Sequence, residues 1–126
     1  AFEMVSTGAA FHNCGVLQST GEVSCWGSNT NGESMPPSGV QFLQVSAGSV
    51  HTCGTVAETG EVQCWGKSDF GQASPPSAER FEAVDVGISH SCGVLADSGE
   101  VRCWGSDGDG RSTPPSGVQF STVSAG

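Results

Sequence analysis

The chain has 126 residues, enough for one globular domain with a usable core. Nineteen Gly, three Trp, no Tyr and 13% charged residues favour short strands and turns over helices. Thirteen acidic against four basic residues set the net charge at −9, a surface that repels phosphate backbones and anionic membranes and so argues against nucleic-acid binding.

No apolar run approaches the roughly 18 residues that span a bilayer, so membrane insertion is not expected. The opening Ala1-Phe2-Glu3-Met4-Val5 has neither the basic nor the apolar region of a signal peptide. A start without Met is compatible with a processed N-terminus or with an excerpt from a longer chain.

The first element in chain order is Phe2-Glu3-Met4-Val5-Ser6-Thr7-Gly8. It returns as Phe42-Leu43-Gln44-Val45-Ser46-Ala47-Gly48, as Phe81-Glu82-Ala83-Val84-Asp85-Val86-Gly87, and as Phe120-Ser121-Thr122-Val123-Ser124-Ala125-Gly126. A histidine follows the first three copies, at His12, His51 and His90. The first unit has one extra residue, Gly8-Ala9-Ala10-Phe11-His12 against Gly48-Ser49-Val50-His51, which predicts a small bulge or a longer turn.

A hairpin signature comes next, CGVLQSTGEVSCWG from Cys14 to Gly27. It recurs at Cys53–Gly66 and Cys92–Gly105, offset by 39 residues each time (53 − 14 and 92 − 53). Gly21, Gly60 and Gly99 hold the last turn position, where a positive φ is often required. With Ser19 and Thr20 at the apex, Leu17 faces Glu22, Val16 faces Val23 and Cys14 faces Cys25. Opposed residues have Cα atoms roughly 4.5–5.5 Å apart, which suits a disulfide. The register therefore favours Cys14–Cys25, Cys53–Cys64 and Cys92–Cys103 among the 15 pairings that six cysteines allow.

Past each Trp the chain turns polar, at Ser28-Asn29-Thr30-Asn31-Gly32-Glu33, Lys67-Ser68-Asp69-Phe70-Gly71-Gln72 and Ser106-Asp107-Gly108-Asp109-Gly110-Arg111. Pro36-Pro37, Pro75-Pro76 and Pro114-Pro115 then close the units; lacking donors and fixing φ, they belong in the connections. The units run 2–40, 41–79 and 80–118, with a partial fourth at 119–126. The expected fold is all-β, about four short antiparallel strands per unit and no helix, as in propeller blades or a similar stacked sheet.

The frame of Phe-x-x-Val-Ser-x-Gly, His, Cys-Gly, Val-x-Cys-Trp-Gly and Pro-Pro resembles the regulator of chromosome condensation repeat in its short, cysteine-bearing form. That form is similar to the crinkly-type repeats of plant receptor-kinase ectodomains and to many secreted bacterial repeat proteins. The resemblance covers essentially the whole chain and implies a β-propeller. It implies little about function, because such repeats occur in nucleotide exchange factors, enzyme inhibitors and receptor ectodomains. Propellers of this family usually have about seven blades; this sequence holds three hairpin units and four Phe-x-x-Val segments. Duplicated ends do not close a ring, so an open or partial array is expected, with unpaired edges that invite association.

Each repeated residue type has a structural and a functional reading. Six cysteines placed by the repeat read first as disulfides, with free buried thiols and zinc as alternatives, although zinc motifs usually pair cysteines two to four residues apart. His12, His51 and His90 read as structural, bonding a buried carbonyl, or as a ring able to hold an ion or ligand. Trp26, Trp65 and Trp104 read as blade core or as a stacking platform for sugars. Asp107-Gly108-Asp109-Gly110 hints at calcium, but Asn29, Asn31, Ser68 and Phe70 at the equivalent positions count against it. No nucleophile, acid–base pair or cofactor loop can be named, so neither an enzyme nor a cofactor is expected. The units differ most in the turns Gln18-Ser19-Thr20, Ala57-Glu58-Thr59 and Ala96-Asp97-Ser98 and in the polar loops, where a rigid frame makes its contacts. The favoured reading is a secreted or cell-surface module for protein binding or assembly. The alternatives are a self-assembling ring or filament and an inhibitor of a secreted enzyme.

Overall fold

Alternating apolar and small residues, cut by Gly-containing turns, give each repeat three short strands. The computed structural model describes residues 2–8, 11–108 and 110–125. The first sheet comprises β1 (Phe2–Thr7), β2 (His12–Leu17) and β3 (Val23–Gly27). The second comprises β4 (Phe42–Ala47), β5 (His51–Val56) and β6 (Val62–Gly66), and the third β7 (Phe81–Val86), β8 (His90–Leu95) and β9 (Val101–Gly105). Each sheet is an antiparallel meander in sequence order, and no helix occurs among the described residues. The sheets stand side by side as blades of an open ring, with β1, β4 and β7 as adjacent inner strands.

There are three strands per blade rather than about four. The stretch after β3 contains two prolines without donors, and it satisfies its polar groups locally. Asn29 Oδ1 accepts Ser34 N at 3.0 Å, and Gly32 O accepts Met35 N at 3.1 Å. Further on, Glu22 Oε1 accepts Gly39 N at 3.0 Å, tying the connection back to the hairpin. Glu61 and Glu100 do the same for Ala78 and Gly117. The residue so held has a positive φ each time, 73° at Gly39, 63° at Ala78 and 72° at Gly117.

The hairpin register sets Val16 opposite Val23 and Cys14 opposite Cys25. Disulfides join Cys14 to Cys25, Cys53 to Cys64 and Cys92 to Cys103, with Cα atoms 4.1, 4.0 and 4.1 Å apart. The residues Ala9 and Ala10, on which the extra-residue expectation falls, lie outside the described residues. A bulge occurs elsewhere, at the start of every inner strand, between Phe2 and Met4, Phe42 and Gln44, and Phe81 and Ala83. There the Phe ring lies over the glycine after the first cysteine. A Cβ on Gly54 would sit 2.7 Å from Phe42 Cδ1.

The core lies between blades. Cys14, Val16 and Val23 on the back of blade 1 meet Phe42, Val45 and Trp65 on the front of blade 2. Blades 2 and 3 repeat this through Cys53 and Val62 against Phe81, Val84 and Trp104. On the back of blade 3 (Cys92, Val94, Val101) the matching places are taken by Phe120 and Val123 from the fourth Phe-x-x-Val copy. Residues 120–125 form no strand.

Candidate functional site: blade junctions, central cleft and loop ends

Each histidine opens the middle strand of its blade and is almost fully buried. His12 Nε2 lies 2.8 Å from Thr52 Oγ1 of the next blade, and Thr52 donates to the Glu33 carbonyl at 3.1 Å. Because the hydroxyl proton is committed to that carbonyl, His12 must donate from Nε2. His51 reaches Ser91 Oγ at 2.8 Å, and Ser91 donates to Gln72 O at 3.0 Å. The same carbonyls accept the indole N–H groups of Trp65 and Trp104, both at 3.0 Å. A histidine, a hydroxyl, a carbonyl and an indole thus clasp each pair of blades. The histidine meets the carbonyl through a hydroxyl rather than directly, because Thr52 and Ser91 stand between them.

Among the described residues, the buried Nδ1 atoms of His12, His51 and His90 find no hydrogen-bond partner. Burial pushes His51 down to about 4, and the charges of His90 and His12 act in the same direction. Burial also lowers His12, against the pull of Glu33, and lowers His90, helped by Arg111 and opposed by Asp85. Burial thus disfavours the charged form of all three, and His12 and His51 are engaged across junctions. Among the described residues no three His, Cys, Asp or Glu side chains come together as metal ligands do.

The inner strands surround a cleft of about 370 Å³ lined by Ser6, Ser46, Asp85 and the glycines at 8, 48 and 87. Three of its polar side chains are spent on neighbouring segments. Ser6 Oγ accepts Ala47 N at 3.0 Å, Ser46 Oγ accepts Val86 N at 3.2 Å, and Asp85 Oδ2 accepts Ala125 N at 2.7 Å. Gln44 adds a two-point clamp, donating to Val84 O at 2.6 Å and accepting Val84 N at 3.0 Å.

Asp107 serves its own loop. Its Oδ1 accepts Ser112 N and its Oδ2 accepts Thr113 Oγ1, both at 2.7 Å, and these bonds hold its carboxyl below the usual carboxylate range. Asn29 and Ser68 make the matching bond to the residue five further on. Asp109, the other carboxylate of the calcium hint, lies outside the described residues.

The loops fall at two ends. His12 pairs with Gly27, so the β1–β2 connection and the chain leaving β3 emerge together, joined by Ser28 N to Phe11 O at 2.8 Å. At this end Phe11 is 80% exposed, and Met35, Phe70 and Ile88 are exposed as well. The opposite end carries the hairpin turns with Glu58 and Asp97, and is acidic and hydroxyl-rich.

Trp65 and Trp104 are core residues, 9% and 8% exposed, but Trp26 is 44% exposed. The difference follows from position, since no described blade stands in front of blade 1 to cover Trp26 and offer it a carbonyl. Sequence reasoning missed Thr52, Ser91, Glu33, Gln72 and the turn-holding glutamates. The usable signal was a polar residue before the first cysteine (Asn13, Thr52, Ser91) and a glutamate after the turn glycine in every unit.

The profile of the Regulator of chromosome condensation (RCC1) repeat matches residues 5–33, 42–72 and 81–111. No curated protein sequence matches the chain. The ectodomain of the receptor kinase CR4 from Physcomitrella patens is similar at 29% identity and TM-score 0.84, over 98% of this chain and 33% of that one. The CRINKLY WD40 ectodomain of Arabidopsis thaliana ACR4 is similar at 28% identity and TM-score 0.85, over 98% of this chain and 43% of that one. Yeast RCC1 (Prp20), solved bound to Kap60, shares the fold at 16% identity and TM-score 0.70, over 84% of this chain and 32% of that one. The chain spans less than half the length of each of these proteins.

Proposed function

Because this chain belongs to the RCC1 repeat family, we propose that it is a secreted or cell-surface module that binds a protein partner or assembles through its loops and open ends, without catalysis. One observation carries the binding reading. Phe11, Met35, Phe70 and Ile88 are exposed apolar side chains on loops of an acidic protein. Phe70 stands where the first unit has Asn31, and Phe11 where the third has Ser89. The frame does not require them, and large apolar side chains held out on rigid loops are what a protein interface uses as anchors.

Three disulfides support an oxidising compartment, as do the receptor-kinase ectodomains among the similar structures. The assembly reading rests on blade 1, whose front face leaves Phe2, Val5 and Trp26 exposed. Ser6, Ser46 and Asp85 in the central cleft are already bonded to backbone, which supports a non-catalytic role.

The test is cross-linked capture from a secreted or cell-surface fraction, comparing the native chain with a Phe11→Ser, Phe70→Ser, Ile88→Ser variant. A protein retained by the native chain and lost by the variant is the expected outcome. Identical capture by both would remove the loops from the interface.

A further inference from the structure

We propose that Asn31, in the loop after β3, is a site of spontaneous covalent change. Its side chain cyclises onto the backbone nitrogen of Gly32, and the isoaspartate that results loosens the clasp between blades 1 and 2.

The chemistry needs an asparagine amide free to turn, followed by a residue whose nitrogen is unshielded. The chain has three asparagines, and only Asn31 precedes a glycine. Apart from its chain neighbours, Gly32 has no heavy atom within 4 Å of where a Cβ would stand. With no side chain of its own, it leaves its nitrogen open to approach. Its N–H is tied only by a long bond to Asn29 O, at 3.3 Å. Asn31 is exposed, and its side-chain amide makes no hydrogen bond to the described residues.

The other asparagines are built against the reaction. Asn29 Oδ1 accepts Ser34 N at 3.0 Å, and the β-branched Thr30 follows it. Asn13 is half-buried in β2, where it is paired with the strands on both sides. Asp107 also precedes a glycine, but its carboxylate is bound by Ser112 N and Thr113 Oγ1. An ionised carboxylate resists attack by a nitrogen.

The step balances with water alone. Gly32 N gives its proton to water or hydroxide and bonds to Asn31 Cγ; the Cγ–Nδ2 bond breaks and ammonia leaves. Water then opens the five-membered imide at either carbonyl. Opening at Cγ leaves an aspartate on an unaltered main chain. Opening at the main-chain carbonyl leaves an isoaspartate, whose chain runs through Cβ and Cγ and is longer by one carbon–carbon bond, about 1.5 Å.

That added length falls inside a closed arch. Asn31 N donates to Glu33 Oε1 at 2.7 Å, and the buried Glu33 carboxylate also accepts Ser28 Oγ at 3.3 Å. The backbone carbonyl of the same Glu33 receives Thr52 and Trp65 of blade 2. A bond spanning two residues has no slack for an extra carbon. Either the arch opens or the Glu33 carbonyl moves off its two donors. Blade 2 closes the same arch, with Phe70 N donating to Gln72 Oε1 at 2.8 Å, but carries no amide there to cyclise. The junction between blades 2 and 3 is therefore an internal control.

The test ages the full native chain in warm, mildly alkaline buffer and maps its peptides by mass. Asn31 should convert, with isoaspartate identified by fragmentation, while Asn13 and Asn29 stay intact. Asn31→Gln, whose side chain would have to close a larger ring, should abolish the conversion. In the separated isoaspartate form, the Trp65 indole proton should exchange with solvent deuterium about tenfold faster, and that of Trp104 should not change. Asn31→Asp adds the charge without the length and should leave Trp65 exchange within about twofold of native. Conversion shared equally among the three asparagines, or absent at Asn31 until the chain is unfolded, overturns the site. Conversion at Asn31 with unaltered Trp65 exchange overturns the link to the junction, and equal acceleration in Asn31→Asp overturns the added-length account.

Discussion

The indole of Trp65 donates to the backbone carbonyl of Glu33 at 3.0 Å, a bond that runs from the second blade back to the first. Thr52 donates to the same oxygen and is engaged by His12. Two side chains of the second blade thus converge on one peptide group of the first, with His12 holding the hydroxyl, which makes the junction specific as well as apolar. Trp65→Phe keeps the ring but removes the donor and some volume. It should cost about 1–2 kcal/mol, whereas Trp26→Phe should cost under about 0.5 kcal/mol. Denaturant midpoints of the two variants check the contrast.

Stability should fall as acid is added, beginning near the ordinary pKa of histidine. His51 titrates at about 4 in the folded chain, against 6.5 for an unperturbed group. Between these values the unfolded chain takes up a proton that the folded one refuses. Its contribution is complete above pH 6.5, is lost as pH falls towards 4, and changes little below that. The loss is about 3 kcal/mol. His12 and His90 are lowered too and act in the same direction. Urea unfolding from pH 7.5 to 4 should show the slope, and His51→Gln should flatten it.

Each disulfide closes a short loop, its cysteines 11 positions apart in sequence. Replacing Cys53 and Cys64 together by Ala should cost about 2–3 kcal/mol. The non-reduced mass of the native chain should be six hydrogens below its reduced mass. A native chain with free thiols would remove both this prediction and the extracellular reading.

Ala78 adopts a φ of 63° where the other two units have glycine. A side chain in the left-handed region costs about 1–2 kcal/mol, so Ala78→Gly should stabilise by about 1 kcal/mol. Gly39→Ala should destabilise by a similar amount. Thermal unfolding of both variants tests the sign as well as the size.

Gly54 is required for a different reason, because a Cβ there would collide with the Phe42 ring. Gly54→Ala should displace that ring and cost about 1–3 kcal/mol. Gly32, with open space where its Cβ would lie, owes its place to a φ of 81° and not to packing. A near-ultraviolet spectrum that leaves the aromatic signal of the Gly54 variant unchanged would refute the ring account.

What could be read in the sequence was whatever the repeat writes at short range. Counting outward from Gly21 set Cys14 opposite Cys25, because a hairpin register depends only on its turn. The 39-residue spacing and the Phe, Cys and Trp positions pointed to blades. The links between blades were harder, since Thr52 and Ser91 are about 40 residues from the histidines they meet, and a lone hydroxyl carries no pattern. The fourth strand was over-read because the stretch after each Trp satisfies its polar groups in its own turns and ends on a proline pair, so it offers no donors to a sheet. The exposure of Trp26 was hidden for a simpler reason. Three closely similar motifs look equivalent in sequence at the Trp, and only their places in the array tell them apart.

The disulfides lie within blades, and the clasps between blades are not covalent. Under tension such a chain would part at its junctions first, while each hairpin stayed locked. The stretch from Cys25 to Cys53 could pay out roughly 100 Å, against roughly 130 Å for a whole repeat without its cystine. Pulled from its ends, the protein would behave as a short tether with fixed knots, lengthening in equal steps that a reducing agent would make longer.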